Sequence, residues 1–218
     1  MCFSATASFV TAGVTGAIGI AALTRARGVR EMPLAATPLL FAIQQGIEGL
    51  LWLDLSAAPG GATADTLTYL FLLIAEVFWP VYAPVAVLLI EPDRRRRLGM
   101  LVCLAAGIGV GAYLRWLVLA RPHDAAIIDG HIVYLTAYSH SDMVTVAYFL
   151  ATVLALLLSS HRTVIGLGAV ILAGYAVSYF FYWQAFVSVW CFFAAAASVA
   201  ILGHFQYARR LEAGLNPA

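Results

Sequence analysis

The stretch 66–91, TLTYLFLLIAEVFWPVYAPVAVLLIE, decides the fold class, because Glu76 is its only charged residue before Glu91. A helix that crosses a bilayer needs about 20 mostly apolar residues, and this stretch is longer than that. The sequence predicts seven such helices, at 8–24, 35–53, 66–91, 98–119, 142–160, 163–182 and 184–207. We therefore expect an all-α, polytopic membrane protein, a seven-helix transmembrane bundle that forms a single transmembrane domain over residues 1–218.

The composition excludes several classes of protein. The chain has 218 residues, of which 63% are hydrophobic and 11% are charged, whereas a soluble domain is about 45–50% apolar and about 25% charged. Its net charge of +1 does not create the positive electrostatic potential that would attract nucleic acid. All 12 basic residues are arginine, so no lysine is present for a Schiff base or a phosphate-binding loop. The expected surroundings are a lipid bilayer rather than water or nucleic acid.

The arginines predict the orientation in the membrane, because basic residues concentrate in cytoplasmic loops. Ten of them follow the first, third, fifth and seventh predicted helices: Arg25, Arg27, Arg30, Arg94, Arg95, Arg96, Arg97, Arg162, Arg209 and Arg210. We therefore expect the N-terminus outside and the C-terminus in the cytoplasm of a bacterial inner (plasma) membrane. The long connection 120–141 is then an outer loop.

Ionisable side chains inside the predicted spans are the first candidates for a functional site, since each costs about 2.5–3.5 kcal/mol to insert. Glu48, Glu76 and Arg115 are of this kind, and their positions place them in the outer half or the centre of the bilayer. Pro80 and Pro84 are expected to kink the third helix beside Glu76. We predict a polar cavity open to the outside. Its candidate ligand-binding residues are Gln44, Gln45, Glu48, Trp52, Glu76, Trp79, Arg115, Tyr134, Ser188 and Trp190.

The residues leave several functions open. The first is binding or transport of a small polar or cationic ligand, or of protons, through Glu48 and Glu76. The second is a membrane-embedded metal-binding protein or metalloenzyme that holds a transition metal ion. Its candidate ligands are Cys2, Glu48, Glu76, His140 and Cys191. The third is an accessory or sensor subunit, with a second copy or another membrane protein as partner. A structural alternative is a buried ion pair between Arg115 and one of the glutamates that fixes the order of the helices.

Several short motifs resemble those of a known family. They are the opening octapeptide at 2–9, CFSATASF, together with QQGIEG at 44–49, Trp79-Pro80, HIVY at 131–134, SSH at 159–161 and SVWCFF at 188–193. They are similar to a bacterial multi-pass membrane protein family of unknown function. The resemblance covers nearly the whole chain and implies an integral membrane protein of about seven helices. It implies no activity.

Overall fold

A computed structural model describes residues 4–57, 61–136 and 142–206. Within these ranges the chain forms seven helices and one antiparallel β-hairpin. The helices are α1 (Ala5–Leu23), α2 (Met32–Ala57), α3 (Ala62–Ile90), α4 (Arg94–Ala120), α5 (Asp142–Leu157), α6 (Arg162–Phe181) and α7 (Trp183–Gln206). The strands are β1 (His123–Ile128) and β2 (His131–Thr136).

Six of these helices are long and apolar enough to cross a membrane, and α5 is the exception. The predicted span 142–160 ends three residues early, at Leu157, and the resulting helix is roughly 24 Å long at 1.5 Å per residue. It nevertheless reaches the same end of the bundle as α3, because the amide of Ser160 donates a 2.7 Å hydrogen bond to the side chain of Glu91. Six of the seven predicted stretches thus form helices of sufficient length and apolar character to span a membrane.

Two helices contain a wider, π-helical turn in their interior. In α3 this turn covers Leu73–Phe78, and in α5 it covers Leu150–Leu154. The amide of Trp79 bonds to the carbonyl of Ile74, five residues earlier. Pro80 follows directly and lacks an amide hydrogen, so the regular ladder cannot continue unchanged through this region. Such turns are frequent at functional sites, and this one carries Glu76.

The α3 and α4 helices approach each other closely at a glycine. A Cβ atom on Gly107 would lie 1.9 Å from the carbonyl oxygen of Pro80. Because Pro84 has no amide hydrogen, that carbonyl lacks its normal partner four residues later in the helix. Gly107 has no side chain, so its Cα can lie directly against the carbonyl of Pro80. Small residues allow helices in membranes to pack closely in this way.

The connection between α4 and α5, which was expected from the sequence only as an outer loop of an all-α chain, forms a β-hairpin. Residues His123–Ile128 pair with His131–Thr136 in antiparallel register. Asp129 and Gly130 make the turn with φ of 49° and 74°, and an Asp-Gly pair suits this turn because both central residues need positive φ. Apolar residues of the hairpin, including Ala125 and Ile132, pack on the adjoining ends of α2 and α3.

The described arginine-rich loops lie together at the opposite end of the bundle. The guanidinium of Arg96, at the start of α4, donates to the carbonyls of Leu158 (3.0 Å) and Ser159 (2.7 Å) after α5. Glu31, at the first arginine-rich loop, and His161, which follows α5, both interact electrostatically with His204 near the end of α7. The sequence prediction that these arginines share one side of the bundle therefore holds for the described loops.

Candidate functional site

Glu48 of α2 is completely buried, and its carboxylate accepts hydrogen bonds from neutral side chains. The hydroxyl of Ser188, on α7, donates to one oxygen of its carboxylate. The side-chain amide of Gln45 donates to the other oxygen at 3.3 Å, and the phenol of Tyr134, on β2, also faces it. Three predicted site residues are thus brought to Glu48, and together they connect α2, α7 and the hairpin.

Gln44 has a different partner, on α3. Its side-chain oxygen accepts a 2.7 Å hydrogen bond from the indole nitrogen of Trp79. The indole also stacks on Phe41, with ring centroids 4.1 Å apart and an angle of 20° between the planes. A buried indole N–H needs such a partner, so Gln44 fixes the orientation of the Trp79 ring.

Trp79 forms part of the wall of a cavity between α2, α3, α5, α6 and α7. The volume of this cavity is about 70 Å³. Its wall includes five aromatic side chains: Phe41, Trp79, Tyr82, Tyr148 and Trp190. One water molecule needs about 10–15 Å³ of such a volume, so there is room for a group of several non-hydrogen atoms. We call this space the aromatic cavity.

A second cavity of about 70 Å³ adjoins the first and is lined by Glu76. The side chain of Glu76 is 5% exposed. Thr145 and Tyr175 also line this space, and Tyr148 and Trp190 belong to the walls of both cavities. We call it the Glu76 cavity. The two spaces are therefore separated by little more than two aromatic side chains.

The two shared aromatic residues differ in how their polar atoms are satisfied. The hydroxyl of Tyr148 donates to the carbonyl of Ala75, which lies in the π-helical turn of α3. The indole nitrogen of Trp190 has no hydrogen-bond partner among the residues that the structure describes, and its side chain is 8% exposed. A buried N–H without a partner costs about 1–3 kcal/mol. The cavity wall therefore holds an unused hydrogen-bond donor close to a carboxyl group.

The structure places the two glutamates in different surroundings, although both lie against α7. Glu48 contacts Ser188 and lines neither of the two cavities. Glu76 shares its cavity with Val187 and Cys191. In a helix these two positions lie on one face, and residue 188 lies about 100° further round. The site thus consists of a polar cluster at Glu48 and a neighbouring cavity at Glu76.

Two other predicted residues lie away from these features. Arg115 is exposed on α4, and within the described ranges its guanidinium pairs with neither glutamate, so the proposed buried ion pair is not found there. The reason is helical phase, because Leu114 and Val118 occupy the inward face of α4. Trp52 is buried in the apolar cluster beneath the hairpin, beside Leu55.

The predicted metal site is not assembled by the residues that can be assessed. Among positions 4–57, 61–136 and 142–206, no group of three or more His, Cys, Asp or Glu side chains is arranged to hold a metal ion. Cys2 and His140 lie outside these positions. Cys191 is buried on the wall of both cavities.

Sequence reasoning missed Glu91, which follows α3 and is 2% exposed. Its carboxylate accepts hydrogen bonds from the amide and hydroxyl of Ser160, from the hydroxyl of Ser159 and from the amide of Asp93. Burial alone would raise the pKa of Glu91, but the bonds from Ser160 and Asp93 hold that pKa below its ordinary value of 4.5. No local signal in the sequence connects Glu91 with a serine 69 residues away.

A comparison with protein families identifies the chain. Residues 1–215 match the family described as "Family of unknown function (DUF6629)". The chain belongs to this family. The expected membership of a family of unknown function is thereby confirmed. Comparisons with curated proteins and with solved structures gave no match, so the functional argument depends on the geometry of this DUF6629 member alone.

Proposed function

We propose that this protein is a multi-pass membrane protein that binds a small organic cation inside its helical bundle. The observation that carries the proposal is the buried carboxyl group of Glu76 on the wall of a cavity that adjoins an aromatic one. The six long apolar helices are compatible with membrane embedding. The shared end of the arginine-rich loops favours an orientation with that end in the cytoplasm.

The chemistry of the walls favours a cation with apolar substituents. In surroundings of low dielectric constant a carboxylate is stabilised by a nearby positive charge. The faces of Tyr148 and Trp190 attract cations, and quaternary ammonium groups are recognised by such aromatic walls. If the ligand also carries an oxygen atom, that oxygen could accept a hydrogen bond from the indole N–H of Trp190. Choline combines a trimethylammonium group with a hydroxyl group and is therefore a suitable probe.

Glu48 has a supporting role in this proposal. Its bond with Ser188 ties α2 to the part of α7 that carries Trp190 and Cys191. Tyr148 stands between the two cavities, so a rotation of its side chain would join them into one space. Such a movement would allow transport in addition to binding, and Glu48 would hold α7 in place while it occurred.

Isothermal titration calorimetry of the purified protein in detergent tests the binding site. The two probes are choline and 3,3-dimethylbutan-1-ol, which has the same shape without the charge. We expect Glu76→Gln to weaken choline binding at least tenfold, about 1.4 kcal/mol, and to leave the affinity for the neutral alcohol unchanged. The matched control is Asp65→Asn, because Asp65 is an exposed carboxyl group on the same helix.

Two results would contradict the predicted role of Glu76. Equal choline affinity in the wild type and Glu76→Gln, or equal weakening by Asp65→Asn, would remove Glu76 from the binding site. Uptake of radiolabelled choline into proteoliposomes then separates binding from transport. Uptake that Glu76→Gln abolishes would extend the proposal to transport, whereas binding without uptake would limit it to a receptor or sensor role.

A further inference from the structure

The arginine-rich end of the bundle forms a strongly basic surface that the proposed cation site does not use. Its exposed members come from the loop before α2, from the start of α4 and from the start of α6: Arg27, Arg30, Arg94, Arg95, Arg96, Arg97 and Arg162. The acidic residues at this end are fewer. Glu91 is buried under the loops, Asp93 caps α4, and Glu31 accepts from the amide of Arg27.

The start of α4 is an unfavourable place for its arginines. Four consecutive arginines occupy positions 94–97, in the first turn of the helix. The amino-terminal end of a helix carries a partial positive charge, so cations are disfavoured there and anions are favoured. Asp93 bonds to the amides of Arg95 and Arg96, but one carboxylate cannot balance four guanidinium groups. Arg96 is partly compensated by its bonds to the carbonyls after α5, whereas an external anion would offset the unfavourable position of Arg94 and Arg95.

Two helix starts face the same surface because the Glu91 carboxylate holds them together. Glu91 precedes α4, and its bonds to Ser160 fix the turn that leads into α6. The ring of His161 also contacts the carbonyl of Ile90 at 3.2 Å. Arg162 follows directly and begins α6, whose first turn has no side-chain cap. The amides of Val164 and Ile165 bond to the carbonyl of His161, so the amides of Arg162 and Thr163 are the ones that this helix start offers to an anion.

Several of these guanidinium groups are free to bind a partner. Arg96 bonds to the carbonyls after α5. Arg94, Arg95 and Arg162 are exposed, and their guanidinium groups have no hydrogen-bond partner in the part of the chain that the structure describes. Arginine binds phosphate with two parallel hydrogen bonds, which an ammonium group cannot do. The chain has 12 arginines and no lysine among its basic residues, which suits phosphate as the bound group.

We infer that Arg94, Arg95 and Arg162 form a binding site for the phosphate headgroup of an anionic phospholipid. The apolar helices locate the occupant, because α3 ends at Ile90 and α4 becomes apolar from Leu98. The arginine row therefore lies at the level where a bilayer presents its headgroups. Basic surfaces between helix ends on the cytoplasmic side are known to bind such headgroups. This inference depends on membrane embedding and not on the cation site.

Native mass spectrometry of the detergent-solubilised protein tests the inference. The probes are phosphatidylglycerol, which is anionic, and phosphatidylcholine, which is zwitterionic. Each arginine near an anionic surface contributes about a fivefold increase in affinity, so Arg94→Gln with Arg95→Gln should weaken phosphatidylglycerol binding about 30-fold. Binding of phosphatidylcholine should not change. The matched control is Arg115→Gln with Arg121→Gln, which removes two exposed charges from the other end of α4.

Each result decides for or against the site. A loss confined to the Arg94 and Arg95 double variant supports it. An equal loss in both double variants shows attraction by net charge alone and overturns it. Inorganic phosphate that displaces phosphatidylglycerol at similar concentration would show a free-anion site and would overturn the lipid assignment. Choline titration of the same variants should be unchanged, so failure of this inference is separable from failure of the cation site.

Discussion

Replacement of Gly107 by alanine should separate α3 from α4. The added Cβ would lie 1.9 Å from the carbonyl oxygen of Pro80, whereas carbon–oxygen contacts begin at about 3.3 Å. The helices must therefore move apart by about 1.4 Å, since the clashing atom belongs to the backbone and cannot rotate away. Overpacking of this kind costs about 1–3 kcal/mol, and we expect a value near the upper limit. Because Pro80 follows Trp79, the movement should also widen the aromatic cavity.

Thermal unfolding in one detergent, followed by helical circular dichroism, measures the effect. The control is Gly109→Ala on the same helix, where a Cβ would meet nothing within 4 Å. That substitution should be neutral or stabilising, by up to about 1 kcal/mol, because alanine favours helix. Gly107→Ala as stable as Gly109→Ala would refute the close approach of α3 and α4 at this point.

Two further predictions concern the polar bonds at the ends and the centre of the bundle. Glu91 has a lowered pKa, so its contribution to stability is complete above its ordinary value of 4.5 and is lost as the pH falls through its lower value in the folded protein. Melting temperatures measured from pH 7 to pH 3.5 should therefore fall more steeply at the acid end for the wild type than for Glu91→Gln, and parallel curves would contradict this. Tyr148→Phe removes the bond to Ala75 and should cost about 1 kcal/mol while choline affinity stays within threefold, because the aromatic face remains. A large loss of affinity on titration would mean that the hydroxyl contacts the ligand.

The positions of the helices were predictable because hydropathy alone determines them. Six helices are long enough to span a membrane and lie close to the predicted stretches. Glycine packing was also foreseeable at Gly107 and Gly111, which both face α3. At Gly13 the same reasoning fails, since a Cβ there would meet nothing within 4 Å. Spacing identifies a small-residue face, but the neighbouring helix decides which of its members are in contact.

The outward position of Arg115 can be predicted from the sequence of α4. The buried residues of α4 include Val110, Leu114, Leu117 and Val118, and their spacing defines one face. Arg115 is about 100° away from Leu114 on the helix, so a count of helical phase would have placed it outside. Depth alone does not show the direction of a side chain.

The hairpin had a recognisable local signal, whereas the contact at Glu91 had none. An Asp-Gly pair at 129–130 between apolar, β-branched segments is a strong indicator of a two-residue hairpin turn. The bond between Glu91 and Ser160 instead depends on how α3, α4 and α5 pack. The two cavities depend in the same way on five or more helices at once, and periodicity within one helix cannot reveal them.

The most direct test of the cation site is a crystal structure of the protein with arsenocholine, in which an arsenic atom replaces the nitrogen of choline. Anomalous scattering locates this atom without ambiguity. We predict a peak within the Glu76 cavity, close to the carboxyl group of Glu76 and the rings of Tyr148 and Trp190. A peak confined to the surface of the bundle, or no peak at concentrations that saturate binding in solution, would contradict the account.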